Sequence, residues 1–232
     1  MKYDSKISFT TEEHITLICE PNSTYLGHLI VKNSSAIGIK NSLVEFLHKK
    51  EINTDCLKVI GCDGTNVNTG SSGGVIQFLE KELEMPLQWV ICLLHTNELP
   101  LRHLFAKLDG RTSGPSTFSG IISAQLQSCS QLDIVSFQPI EAPIIDFNAS
   151  NLGNDQAYLL QITNAVITGV ANSSIQNNNP GKISNARWLT TANRILRLYI
   201  STEVPSESLQ ILAKFVVKVY SQSWFSIKKS FS

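Results

Sequence analysis

The stretch LKVIGCDGTNVNTG, from Leu57 to Gly70, decides how the fold is read, because an apolar run stops abruptly at an acid followed by a loop of Gly, Thr and Asn. A short apolar run closed by a turn predicts a buried strand over Leu57 to Cys62 that delivers Asp63 to its carboxyl end. In open α/β sheets that end is where ligands and metal ions collect, since the loop leaves the sheet there and the next helix turns back from it. Asp63 is therefore the first candidate for chemistry. A lone Asp at a strand end is more often a helix or turn cap than a metal ligand, and the Gly64 to Asn66 backbone offers it donors. The small polar neighbours Thr65, Asn66, Asn68 and Thr69 tilt the reading toward something polar held against them.

Upstream, β-type alternation predicts strands near Lys6 to Thr10, His14 to Glu20 and Tyr25 to Val31, forming an antiparallel meander. Ser34 or Ser35 then caps an amphipathic helix from Ala36 to Lys49, with Ile37, Leu43, Val44, Phe46 and Leu47 on its apolar face. Downstream, the Gly-rich loop Asn68 to Gly74 opens a helix over Val75 to Leu83. A very apolar run, Leu87 to Leu94, predicts a second buried strand. A helix over His95 to Leu108 follows, with Pro100 in its first turn or at a kink. The order is βββαβαβ, an α/β fold with a mixed sheet. Past Asp109 the character changes. RTSGPSTFSG and SSIQNNNPGK read as connectors, with helices near Gln156 to Thr168, Ala186 to Tyr199 and Ser206 to Trp224. The expected domains are residues 1–110, a sheet-and-helix core, and 111–232, a mostly helical segment.

With 232 residues, of which 42% are hydrophobic, the chain holds enough apolar material for a real core. Its 19 basic and 19 acidic residues cancel, and only 16% of residues are charged, so no strong field for polyanions or membranes is expected. Five cysteines (Cys19, Cys56, Cys62, Cys92 and Cys129) in apolar surroundings, without paired CxxC spacing, fit reduced, buried thiols. No signal-peptide core and no membrane-length apolar run is seen, which predicts a soluble intracellular protein with no membrane partner.

Other motifs have plainer roles. GTNVNTGSSGG could cradle a phosphate at the start of the following helix, but it lacks the Lys of a P-loop, and a turn is the better reading. In CLLHTNELPLRH, Cys92 and His95 have no matching second ligand pair for zinc, so His95 and Asn97 are expected to make buried structural hydrogen bonds. Arg187, Arg194 and Arg197 are the nucleic-acid candidates, because guanidinium groups match phosphates, with Trp188 beside them. On helical spacing, Trp188 is read as core.

Taken together, CDGTNVNTG, CLLHTNELPLRHLF and SNARWLTTANRILRLY, in this order and spacing, resemble hAT-type transposases and proteins derived from them. The resemblance runs from about Glu12 to Trp224. It implies an RNase H-like core followed by a helical insertion, with Asp63 as second acid of a DDE triad and Mg2+ or Mn2+ as its cofactor. It also implies a nuclear location and, as partners, DNA, a related full-length transposase or a second copy of this chain. The family's first acid belongs on the first strand, where Asp4 is the only candidate. Its third, a Glu, belongs after the insertion, inside which this chain stops, and the chain is expected to be truncated at both ends.

Two-metal phosphoryl transfer needs several carboxylates holding cations about 3.5–4 Å apart. Asp63 alone does not supply them, and Glu98, Asp109 and Asp4 each have a simpler role. The expectation is a catalytically inactive, transposon-derived fragment that binds nucleic acid or protein. The alternatives are a small phosphotransferase or ATPase using the DGT loop for phosphate, and a scaffold relic without function.

Overall fold

Residues 12–31, 33–111, 119–183 and 188–230 are described by a computed structural model of the chain. Strand β1 (His14–Cys19) pairs antiparallel with β2 (Thr24–Ile30), placing His14 opposite Ile30 and Thr16 opposite His28, with a bulge at Leu17/Ile18. Asn22 and Ser23 turn the chain between them at positive φ, held by the Glu20 carboxylate, which accepts from Ser23 N and Oγ. Alternation then divides the faces: Ile15, Leu17, Leu29 and Val31 turn inward, while His14, Thr16, His28 and Ile30 are exposed.

Helix α1 (Ala36–Lys49) starts where the Ser35 side chain accepts from Gly38 N, and it lays Ile39, Leu43 and Phe46 against that inner face. The chain continues through β3 (Val59–Cys62), the short α2 (Asn66–Thr69), α3 (Val75–Leu83) and β4 (Gln88–Ile91), and β4 runs parallel to β3. Glu80 of α3 fixes the entry to β4, since its Oε1 accepts from Leu87 N and Trp89 Nε1.

From His14 onward strands and helices fall near their expected positions, but the expected βββαβαβ order is not shown, and the strands pair differently. Among the described residues there are two separate two-stranded sheets, β1 with β2 and β3 with β4, in place of one mixed sheet. The strand expected at Lys6 to Thr10 lies outside the described residues. Nor are β3 and β4 buried: exposed and half-buried residues alternate along both, with Val59 49% and Val90 53% accessible. The physical reason is partnering. Each of these four-residue strands has one paired edge and one covered face, so its outward residues stay in water however apolar they are.

The chain divides into two compact units, Met1–Cys92 and Leu93–Ser232. The boundary expected from the sequence lies near residue 110, after the helix that follows β4. That helix, α4 (Leu93–Asp109), belongs with the second unit because Leu101 and Phe105 are fully buried in its core. Among the described residues the regular elements of the second unit are helical: α4, α5 (Ile121–Ser128), α6 (Asn154–Thr168), α7 (Ser173–Asn177), α8 (Trp188–Tyr199), α9 (Glu207–Phe215), a π-helical turn (Val216–Tyr220) and α10 (Ser221–Lys229). Its axis is α8, in contact with α4, α5, α6 and α9, and every residue of α8 but Leu189 is buried. The protein is thus a mixed α/β chain with small sheets. Among the described residues no helix is long and apolar enough to cross a membrane.

Candidate functional site

Asp63 follows directly on β3, where the chain leaves the sheet. Its Oδ1 accepts three hydrogen bonds, from Thr65 N at 3.1 Å, Thr65 Oγ1 at 2.7 Å and Asn68 Nδ2 at 2.8 Å. This is the arrangement of a turn-capping aspartate that ties the start of α2 to the end of β3. The same residues that read as a polar pocket, Thr65 and Asn68, are the ones that engage the carboxylate. Burial and, secondarily, the Asp63 charge push the adjacent Cys62 thiol up, so that thiol is held away from nucleophilic chemistry.

The neighbouring glycine loop closes on itself. Gly73 N and Gly74 N both donate to Gly70 O, which removes two of the amides a phosphate cradle would use. The winding is tight: a Cβ at Gly74 would come within 2.6 Å of Gly70 N. The loop is a folded connector between α2 and α3, and a phosphate-binding DGT loop finds no support in it.

The other acids considered for a triad have structural work of their own. Asp109, at the end of α4, accepts from Ile122 N at 2.8 Å and Ser123 N at 2.7 Å, and also from Ser123 Oγ, so it caps α5 from outside that helix. Glu98, on α4, lies close enough to Tyr220 for its charge to raise the buried phenol further. Asp4 lies outside the described residues. Among the described residues no three His, Cys, Asp or Glu side chains converge as metal ligands. A two-metal Mg2+ or Mn2+ centre does not fit what surrounds Asp63, since a single carboxylate with one oxygen already holding three donors cannot clamp two hard cations.

The arginine candidates are corrected by burial. Arg194 and Arg197 are only 8% and 0% accessible. Arg194 donates from Nε to Gly181 O at 2.7 Å and from Nη1 to Leu126 O at 2.7 Å and Gln127 O at 3.3 Å. Arg197 donates from Nη2 to Leu132 O at 2.6 Å and Gln176 Oε1 at 3.1 Å, and from Nη1 to Ser201 Oγ. These guanidinium groups brace the carboxyl end of α5 and the loops beside it against α8, and they cannot reach a phosphate on a nucleic-acid strand. The carbonyls at the end of α5 carry the negative pole of that helix, which suits a buried cation. Arg187 lies outside the described residues.

Trp188 is core, 2% accessible, with Phe105 edge-on to it at 5.7 Å. Asn97 makes its structural bond, from Nδ2 to the Tyr220 carbonyl at 3.1 Å. His95 is half-buried in the first turn of α4 and its side chain makes no hydrogen bond to another described residue, so the expected pair of bonds reduces to the one from Asn97. Of the thiols expected to be buried, Cys129 alone is; Cys19, Cys56 and Cys92 are exposed, standing where a strand or short helix ends and no second layer of described residues covers the chain.

No family model, curated protein or solved structure matches this chain. The second unit also holds a cleft of about 880 Å³, which the sequence reading did not single out. The carboxamides of Asn154, Gln161, Asn178 and Asn179 line it, with Lys182 and a single carboxylate, Asp155. Those groups recognise polar surfaces but supply no pair of acids. Only the run SSIQNNNPGK, rich in amides and turn formers, hinted at it in the sequence.

Proposed function

We propose that this chain is a transposase-derived protein of the hAT type that has lost strand-transfer chemistry and acts by associating with another protein chain, in the first instance a second copy of itself. The observation that carries the reading is the Asp63 carboxylate, engaged by Thr65 and Asn68 in a local turn where a catalytic acid would face its metal. The alternation of strands and helices from β1 through β4 supports reading the first unit as related to an RNase H-like core. Association is supported by the β3–β4 ribbon. Parallel strands ordinarily lie inside sheets covered on both faces, yet here they pair only with each other among the described residues and leave Val59 and Val90 half in water. Nuclear location goes with the same reading.

The test combines sedimentation with a cleavage assay on the full chain. A concentration-dependent dimer, lost in a Val59→Lys, Val90→Lys variant that still melts cooperatively, is the expected result. No nicking of supercoiled DNA is expected with Mg2+ or Mn2+. A monomer at every concentration removes the association, and Mn2+-dependent nicking that Asp63→Asn abolishes removes the loss of chemistry.

A further inference from the structure

The exposed face of the β1–β2 hairpin carries two imidazoles on neighbouring strands. His14 and His28 sit diagonally across the pair, His14 opposite Ile30 and His28 opposite Thr16, and their ring centroids are 5.5 Å apart with the planes tilted by 51°. Each ring has one nitrogen already held. His14 Nε2 lies 3.2 Å from Glu12 Oε2, and His28 Nδ1 lies 2.9 Å from the Tyr25 hydroxyl.

We propose that His14 and His28 form a two-histidine site for a divalent first-row transition metal such as Zn2+ or Ni2+, ligated through His14 Nδ1 and His28 Nε2. Two imidazoles sharing one tetrahedral ion at about 2.0–2.1 Å per bond have centroids roughly 5 Å apart, which the hairpin already provides. A ligating imidazole characteristically donates its other N–H to an oxygen, which fixes the tautomer and aims the lone pair at the metal. Glu12 Oε2 stands 3.2 Å from His14 Nε2 and the Tyr25 hydroxyl 2.9 Å from His28 Nδ1, each placed to accept that N–H in the tautomer whose other nitrogen binds the metal. Imidazole nitrogen suits borderline ions such as Zn2+ and Ni2+, whereas Mg2+ and Ca2+ prefer oxygen. No third His, Cys, Asp or Glu joins the pair among the described residues, so water completes the coordination and the ion stays open to exchange. The site is independent of Asp63 and of the proposed loss of strand transfer.

The test is Ni2+ titrated into the full chain, followed by calorimetry and by paramagnetic broadening of amide NMR signals. Broadening is expected to centre on His14, Thr16 and His28. His14→Ala and His28→Ala should each weaken binding by at least about tenfold. Glu12→Ala and Tyr25→Phe, which keep both ligands but free their rings, should weaken it by about tenfold. The four positions are exposed, so all variants should remain folded. Broadening centred instead on the exposed thiols of Cys19, Cys56 and Cys92, or on His48, His95 or His103, overturns the proposal. So does a His14→Ala, His28→Ala double variant that binds Ni2+ as tightly as the unaltered chain.

Discussion

Replacing Arg194 by Met removes a buried cation from the helical unit while keeping an unbranched side chain of similar reach. The two short bonds it loses, to Gly181 O and Leu126 O, are both 2.7 Å long. A hydrogen bond from a charged donor contributes roughly 1.5–3 kcal/mol, so together they contribute about 3–6 kcal/mol, and the Leu126 carbonyl is left buried. Met has no charge to strip of water, which offsets part of the loss, since burying an ion without a counter-ion costs several kcal/mol. The net expected destabilisation is about 3 kcal/mol. A unit the length of Leu93–Ser232 loses about 0.3 kcal/mol per degree near its midpoint, so its Tm should fall by roughly 10 °C. Far-ultraviolet circular dichroism gives the global transition, and the fluorescence of Trp188 and Trp224, both buried in this unit, reports its own melting. An exposed phosphate-binding arginine would change stability by no more than about 0.5 kcal/mol on substitution. An Arg194→Met midpoint within a degree or two of the unaltered protein therefore refutes the bracing role.

Asp109→Ala leaves the first-turn amides of α5 without their acceptor and should cost about 2 kcal/mol, seen as faster hydrogen exchange across Ile121–Ser128 before any other helix of the unit. The Tyr220 hydroxyl is buried with no hydrogen-bond partner, so Tyr220→Phe should raise stability toward urea by about 1 kcal/mol. Burial pushes the Tyr158 and Tyr220 phenols up, with the Glu98 charge adding to the effect at Tyr220, so the folded chain keeps protons that the unfolded chain releases above about pH 10. Their stabilisation is complete below that pH and declines above it, by up to about 1.4 kcal/mol per pH unit for each tyrosine, and Phe at either position should flatten the decline. Iodoacetamide should modify Cys56 in the folded protein and reach Cys129 only after unfolding, because Cys129 is buried and burial pushes its thiol up; mass spectrometry of the peptides reads both.

Helices α1 and α3 were legible because their determinants are local. Ser35 caps α1, and the apolar spacing of Val75, Ile76 and Leu79 sets the face of α3. Strands β3 and β4 were legible as strands but not as exposed ones. Runs such as LKVIGC and LQWVIC do not reveal how many neighbours a strand finds, which depends on pairing far along the chain. Helix α5 went unread because Gly120 offers no side-chain cap and the acceptor comes from Asp109, on the preceding helix. Arg194 and Arg197 looked like a polar helix face for a related reason. The carbonyls that make their burial tolerable belong to residues 126–132 and 181, invisible to any window centred on α8. Asp63 is the opposite case: its partners, Thr65 and Asn68, stand two and five residues away, and the capping reading was available in the sequence.

The π-helical turn at Val216–Tyr220 has a consequence for changes in chain length. A π turn accommodates one residue more than an α-helical turn, so the span from α9 to α10 carries a residue that its angular phase does not require. Removing one residue from within Val216–Tyr220 would let the ladder close as ordinary α-helix, with Leu209 and Leu212 on one side and Trp224 and Phe225 on the other still directed at the same core. The same deletion in α8 would turn everything beyond it by about 100° and bring the wrong side chains inward. Single-residue loss should thus be survivable at this turn and ruinous along the buried helix beside it, and an insertion already accommodated is the simplest account of how the turn arose.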